Sequence, residues 1–126
     1  MMSSVAQWFS MLLNTDRNRI EHMLEAARYA LSFVQSRSRG DLDTDAQLRL
    51  AVLRALEVVG EAAGRVTPET RAAHPRIPWQ LAVSSRNRLI HAYFDIDLDI
   101  VWTTVTKALP DLVSMLEAIL RSEDGP

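Results

Sequence analysis

The sequence has 126 residues, no cysteine, 14 basic and 16 acidic side chains, and a formal net charge of -2 at pH 7. This length fits one domain with its own core, and the lack of cysteine excludes disulfides and thiolate metal sites. The total charge predicts no general attraction to nucleic acid, and no apolar run approaches the ~18 residues of a membrane span, so we expect a cytoplasmic protein without membrane contact.

Two long amphipathic helices are predicted in the first half of the chain. Between Arg17 and Val34 apolar residues recur at steps of three and four, which places them on one side of a helix. That helix should end in a loop over residues 36–41, and Thr44 or Asp45 can cap the start of the second helix. The two apolar stripes are Ile20, Met23, Leu24, Ala27, Leu31 and Val34, and then Leu48, Ala51, Val52, Ala55, Leu56, Val59 and Ala62.

The second half of the chain predicts a short helix and two longer ones. Thr67 can cap a helix over about Pro68 to Ala73, and Pro78 can open the next helix. After a link containing Asp95, Asp97 and Asp99, the last helix should run from about Asp99 to Arg121, with a kink at Pro110. The apolar stripes are Trp79, Ala82, Val83, Leu89, Ile90 and Tyr93, and then Val101, Val105, Ala108, Leu112, Leu116 and Ile119.

No alternating pattern of a strand is present, so we predict an all-α fold, an antiparallel bundle of four main helices plus a short one. The helical domain should cover residues 17–121. Residues 1–16 are predicted to be an N-terminal extension or a short helix, and residues 122–126 a flexible tail.

One segment is locally basic on this acidic protein. Between Arg71 and Phe94 there is no acidic residue, and the segment contains four arginines and two histidines. Arg71, His74 and Arg76 are therefore candidates for contacts with RNA phosphates.

Within that segment, the stretch from Arg86 to Tyr93 holds an arginine, an amide, a histidine and a phenol in two helical turns. At about 100° per residue, Arg86 and Tyr93 lie within about 20° of each other, whereas His91 lies about 140° from Arg86. If Arg86 and His91 act together, either the helix ends before His91 or the two side chains come from two copies of the chain. The second option predicts a symmetric dimer that pairs this helix with its twofold copy.

These residue types suit cleavage of RNA without a metal ion. The ribose 2′-OH would attack the phosphorus, His91 would act as base or acid, and Arg86 would stabilise the added negative charge. Asn87 could orient His91 or the phosphate, and Arg88 is a helical neighbour of His91. The competing interpretation is structural: Arg86 and Arg88 are solvated charges, His91 is a helix C-terminal residue, and Tyr93 belongs to the core.

The motif resembles the R-x4-H-x-Y signature of the HepT-like toxins of the HEPN superfamily, with Arg86, His91 and Tyr93 at the three positions. The resemblance covers about Arg17 to Leu120. It includes Val59-Gly60-Glu61-Ala62-Ala63, Ile77-Pro78-Trp79, Phe94-Asp95-Ile96-Asp97, Val101-Trp102 and Leu109-Pro110.

This resemblance implies an all-helical homodimer with RNase activity and no cofactor. It also implies a role as the toxin of a two-component system, whose antitoxin is a nucleotidyltransferase of the MNT type. In that family the antitoxin can transfer AMP onto the motif tyrosine, which here is Tyr93. The alternative is a non-catalytic interaction module whose same surface binds the nucleotidyltransferase or a nucleotide.

The remaining polar clusters are better explained by structure than by chemistry. The triplets Asp41, Asp43, Asp45 and Asp95, Asp97, Asp99 lack the glycine and distal glutamate of a calcium loop, so we expect loop solvation and helix capping. Glu57 and Glu61 have Arg54 and Arg65 at ion-pair spacing, which favours ion pairs over metal binding. His22 is predicted to be a surface residue, and Trp79 and Trp102 are predicted to be core or dimer-interface anchors.

Overall fold

The computed structural model describes residues 4–7, 15–91 and 95–123, without the side chains of His91 and Glu123. Every regular element within these ranges is a helix, which confirms the all-α prediction. Residues 4–7 are helical, and the rest of the predicted extension before Thr15 lies outside the described residues. The elements that follow are α1 (Thr15–Val34), α2 (Asp41–Thr44), α3 (Ala46–Gly64), α4 (Pro68–Ala73), α5 (Trp79–His91), α6 (Leu98–Thr103), a π-helical turn (Thr104–Ala108) and α7 (Leu109–Glu123).

The core lies where α1 packs against α3 on one side and against α7 on another, while α3 also packs against α5. The helices α1 and α3 supply most of its buried apolar side chains, many of them from the predicted stripes, and Ile20, Met23 and Leu116 are fully buried. Each such side chain stabilises the fold by roughly 1.5–3 kcal/mol through removal from water. The four main helices are therefore those that the sequence predicts.

The helix α2 is not predicted by the sequence, because four residues are too few to produce a recognisable period. It places Leu42 in the core with no exposed surface. Asp45, and not Thr44, then caps α3 by accepting a hydrogen bond from the backbone N–H of Leu48 at 3.0 Å. This bond and the ion pair with Arg37 lower the pKa of the Asp45 carboxyl.

The last helix departs from the prediction at the π-helical turn. Pro110 has no N–H for the carbonyl of Thr106, and its ring would collide with that carbonyl in an α-helix. The N–H of Leu109 instead donates to the carbonyl of Thr104, five residues earlier. The wider turn shifts the helical register, so the prediction that Ala108 faces the core was wrong: Ala108 is exposed and Leu109 is buried.

The predicted cap of α4 is confirmed, and one aspartate of the second triplet caps α6. Thr67 accepts a hydrogen bond from the N–H of Thr70, at 3.5 Å, and Pro68 occupies the first position of α4. Asp97 caps α6 by accepting from the N–H groups of Asp99 and Ile100. None of the helices in the described ranges is both long enough and apolar enough to cross a membrane.

Candidate functional site

The approach to the motif helix is anchored on the C-terminal end of α3. Nε of Arg71 donates to the carbonyl of Val66 at 3.0 Å, and Nη2 donates to the carbonyls of Ala63 and Gly64 at 3.1 and 2.9 Å. A helix C-terminus carries partial negative charge, so a guanidinium there is stabilising. Arg71 therefore has a structural role that the sequence did not predict.

The start of α5 is fixed by Trp79, which is buried as predicted. Its indole Nε1 donates to the carbonyl of His74 at 3.0 Å, and the carbonyl of Pro78 accepts from the N–H of Ala82 at 3.0 Å. Arg76, another predicted RNA contact, is exposed between these anchors, and His74 is half-buried. The loop that contains His74 and Arg76 is thus held by hydrogen bonds of Arg71 on one side and of Trp79 on the other.

The helix α5 lies at the edge of the bundle, where α3 is its main packing partner. The sides of α5 that do not face α3 carry exposed residues, including Leu81, with 69% of its surface exposed, and Ser84, Ser85 and Arg88. Ile90, predicted to belong to the apolar stripe, is 39% exposed. One face of the helix is therefore packed and another is uncovered in a single chain.

Arg86 lies on the packed side of α5, directly over Gly60 of α3. A Cβ atom built on Gly60 would come within 2.4 Å of Cβ of Arg86 and 2.5 Å of the carbonyl oxygen of Ala82. Non-bonded carbon atoms normally stay about 3.5 Å or more apart, so only glycine permits this approach. Gly60 thus allows Arg86 to pack closely against α3, a role that the sequence analysis did not assign to this glycine. The signal was a glycine inside a strongly helical pattern.

Arg86 is less exposed than a fully solvated helix charge would be. Its side chain is half-buried, and its Nε atom is buried without an acceptor among the described residues. Its Nη1 donates to Oδ1 of Asn87 at 3.1 Å. Arg88, by contrast, is exposed, as the structural interpretation expects. Asn87 contacts the arginine here, whereas the sequence-based hypothesis had it orienting His91 or the phosphate.

The backbone of α5 is helical from Arg86 through His91, so the helix does not end before the histidine. That outcome removes one of the two ways in which Arg86 and His91 could act together. In a continuous helix the two positions lie about 140° apart, with Asn87 between them on the shorter arc. The side chain of His91 and all of Tyr93 lie outside the described residues. Their predicted roles are therefore not tested by this geometry.

The carboxylates considered as metal ligands form ion pairs. Glu57 pairs with Arg54 at 3.0 Å and Glu61 pairs with Arg65 at 3.2 Å, both on α3, as predicted. In the part of the chain that the structure describes, no group of three or more His, Cys, Asp or Glu side chains is arranged to hold a metal ion. His22 is exposed, which confirms its predicted surface position.

The remaining carboxylates of the two aspartate triplets also serve the fold. Arg39 pairs with Asp43 at 2.8 Å and with Asp99 at 2.5 Å, which joins the α2 region to α6. Asp41 accepts from the backbone N–H of Ser38 at 2.8 Å. These contacts agree with the prediction that the triplets solvate loops and cap helices.

Comparison with known proteins identifies the family. Residues 23–119 match the family model described as "HepT-like: Ribonuclease HepT-like". A protein of Caldanaerobacter subterraneus subsp. tengcongensis that carries the name "Putative RNase" is 33% identical over 111 residues, which are 88% of this chain and 99% of the relative. "Probable ribonuclease HepT" of Thermococcus cleftensis is 33% identical over 103 residues, 82% of this chain and 94% of that protein.

A third relative, from Methanocaldococcus jannaschii and also named "Putative RNase", is 33% identical over 97 residues, 77% of this chain and 89% of its own. No solved structure gives a significant match. The helical bundle, the arginine-containing motif helix and the family match agree with one another. This chain belongs to the HepT-like ribonuclease family.

Proposed function

We propose that this chain is a metal-independent endoribonuclease, and that it acts as the toxin of a pair whose antitoxin is an MNT-type nucleotidyltransferase. The proposal rests on the packing and the hydrogen bond of Arg86, observed in a chain that belongs to this family. Arg86 is half-buried, its Cβ packs on Gly60 and its guanidinium is held by Asn87, so the side chain is more restrained than that of a surface arginine. Such restraint suits a group that must meet a phosphate in one geometry.

The proposed reaction uses the RNA's own nucleophile. His91 takes the proton of the ribose 2′-OH, the 2′ oxygen attacks the adjacent phosphorus, and the bond from phosphorus to the 5′ oxygen breaks. The products are a 2′,3′-cyclic phosphate and a 5′-hydroxyl, whose proton comes from an acid. Arg86 stabilises the additional negative charge on the phosphoryl oxygens in the transition state.

The continuous helix supports a site shared by two chains. Because Arg86 and His91 lie about 140° apart on α5, one copy presents them poorly to one phosphate. A twofold pairing through the exposed side of α5 places two histidines around one cleft, and the bond to Asn87 turns each Arg86 guanidinium from the packed side towards that cleft. One histidine then serves as base and the other as acid.

The other predicted residues have supporting roles in this proposal. Asn87 holds the arginine and retains its amide N–H2 as a donor to the phosphate. Arg88 and Arg76 extend the positive surface along the RNA backbone, His74 offers a hydrogen bond to it, and Arg71 contributes charge from its anchored position.

The activity is tested by cleavage of RNA with purified protein, with and without a chelator, and by analysis of the product ends. Wild-type protein should cleave in the presence of chelator, and Arg86→Ala and His91→Ala should lose activity. Arg54→Ala and His22→Ala are matched controls, because both side chains are exposed on other helices. A folded His91→Ala protein that still cleaves RNA would leave the non-catalytic interaction module as the explanation. Cleavage that needs added metal would contradict the mechanism.

We further propose that Tyr93 accepts AMP from the antitoxin, which would place bulky anionic groups near Arg86 and repel RNA. Co-expression with the nucleotidyltransferase should add the mass of one or more AMP groups to the wild-type chain. Tyr93→Phe should abolish that addition, whereas Tyr29→Phe should not, since Tyr29 is an exposed tyrosine on α1. An unchanged mass in the wild type would rule out this form of regulation.

A further inference from the structure

Gly60 occupies a position where glycine is otherwise unfavourable. It lies in the interior of α3, where glycine destabilises a helix relative to alanine. It is buried, and a Cβ atom at this position would meet Cβ and Cγ of Arg86 and the carbonyl oxygen of Ala82. An alanine at this position would favour the helix but would have no room for its methyl group.

The lack of room cannot be relieved by a change of rotamer. The position of Cβ of Arg86 is set by the backbone of α5, and the carbonyl of Ala82 is itself backbone. A Cβ atom on residue 60 would lie 2.4 Å from Cβ of Arg86, whereas ordinary van der Waals contact begins at 3.4 Å. The helices α3 and α5 must therefore move apart by about 1 Å to accept it. The hydrogen on Gly60 therefore sets how closely Arg86 approaches α3.

We propose that Gly60 is a positioning residue that fixes the guanidinium of Arg86 at the depth needed for phosphate binding in the transition state. This inference rests on the proposed function, since it assigns Gly60 a role only through Arg86. A displacement of about 1 Å in a catalytic group can reduce the rate by about 100-fold, because the group no longer meets the developing charge.

The chain offers a matched control one turn further along the same helix. A Cβ on Gly64 would meet only Cγ2 of Val83, at 3.4 Å, which is ordinary contact. Gly60→Ala and Gly64→Ala therefore make the same chemical change in the same helix, and only the first forces α3 and α5 apart. The kinetic constants of both variants are measured on one RNA substrate, below the melting temperature of each.

Gly60→Ala should lower kcat by about 100-fold while KM changes by less than about threefold, because Arg86 acts mainly on charge that develops in the transition state. Gly64→Ala should stay within about twofold of wild type. If Arg86→Ala is inactive but Gly60→Ala retains wild-type kcat, the positioning role is overturned and the proposed function stands. If Arg86→Ala remains active, the proposed function fails.

A second measurement covers the case in which Gly60→Ala does not yield active protein. The drop in melting temperature caused by Gly60→Ala is compared in an Arg86→Gly background and in an Arg86→Ala background. The drop should be smaller with glycine at 86, since only glycine removes the Cβ atom that meets position 60. Equal drops in both backgrounds would overturn the proposed contact and, with it, the inference.

Discussion

Nη1 of Arg86 donates a hydrogen bond to Oδ1 of Asn87 at 3.1 Å, so two consecutive residues of the motif restrain each other. The bond uses the oxygen of the amide and leaves its nitrogen as a donor. Because side chains of adjacent helical residues diverge by about 100°, this bond draws the guanidinium away from its own side of α5 towards the side of His91.

Replacement of Asn87 tests this restraint. Asn87→Ala should lower kcat/KM for RNA cleavage by about 10-fold to 100-fold, since a hydrogen bond to a charged group contributes roughly 1.5–3 kcal/mol. Gln47→Ala, which truncates an exposed amide on α3, should leave cleavage unchanged. Equal activities of the two variants would show that the bond to Arg86 does not contribute to the reaction.

The exposed leucine on α5 tests the proposed dimer. Leu81→Glu should raise the dimer dissociation constant by at least about tenfold and reduce RNA cleavage in parallel, because paired helices would bring two carboxylates together. Leu50→Glu is the control, since Leu50 is 51% exposed on α3. Sedimentation equilibrium measures both variants, and a Leu81→Glu protein that dimerises like wild type would exclude this face as the interface.

Arg71 should matter more for stability than its neighbour in the same basic segment. Arg71→Lys should lower the free energy of unfolding by about 1–3 kcal/mol, because one ammonium group cannot reproduce bonds from Nε and Nη2 to three carbonyls. Arg76→Lys, at an exposed position, should change it by less than about 0.5 kcal/mol. Urea denaturation measures both values, and similar losses would argue against the anchoring role of Arg71.

Asp16 gives a prediction about pH. Its carboxylate accepts from the N–H of Thr67 at 3.0 Å, from the Thr67 hydroxyl at 2.6 Å and from the Thr70 hydroxyl. Burial alone would raise the pKa of Asp16, but these hydrogen bonds outweigh burial and hold the pKa below the ordinary value of 3.8. The carboxylate thus joins the start of α1 to the start of α4.

Since the pKa of Asp16 is lower in the folded state, its stabilising effect is complete well above pH 3.8 and is lost as the pH falls through the folded-state pKa. Asp16→Asn should therefore lower the free energy of unfolding by about 1 kcal/mol at pH 7, and the difference from wild type should shrink in acid. Glu69→Gln removes an exposed carboxylate from α4 and should have a smaller effect at pH 7. A difference that grows in acid would contradict the assigned sign.

The sequence predicted those parts of the fold that depend on local periodicity. The apolar spacings of α1 and α3 identified much of the core, and Thr67 marked the start of α4, because both signals act within one or two turns. Ala108 was misplaced because a π-helical turn changes the period. Proline predicts a disturbance in a helix but not the form that the disturbance takes.

The site was predictable in its residue types but not in its packing. Arg86 could be found from the motif, whereas its burial depends on Gly60, which lies on another helix. Helical period alone places Arg86 on the side of Trp79 and Tyr93, yet a charged residue is ordinarily expected in solvent. The anchoring of Arg71 could not be predicted either, because its acceptors are backbone carbonyls, which every residue of the chain has.

The π-helical turn means that the last helix holds about one residue more than an α-helix of the same length would. Loss of one residue within 104–108 would remove this extra residue, and the ring of Pro110 would then collide with the carbonyl four residues before it. The helices α3 and α5 contain no such extra residue in their described geometry. Loss of one residue between the start of α3 and Gly60 would turn that glycine by about 100°, and a bulkier side chain would then face Arg86.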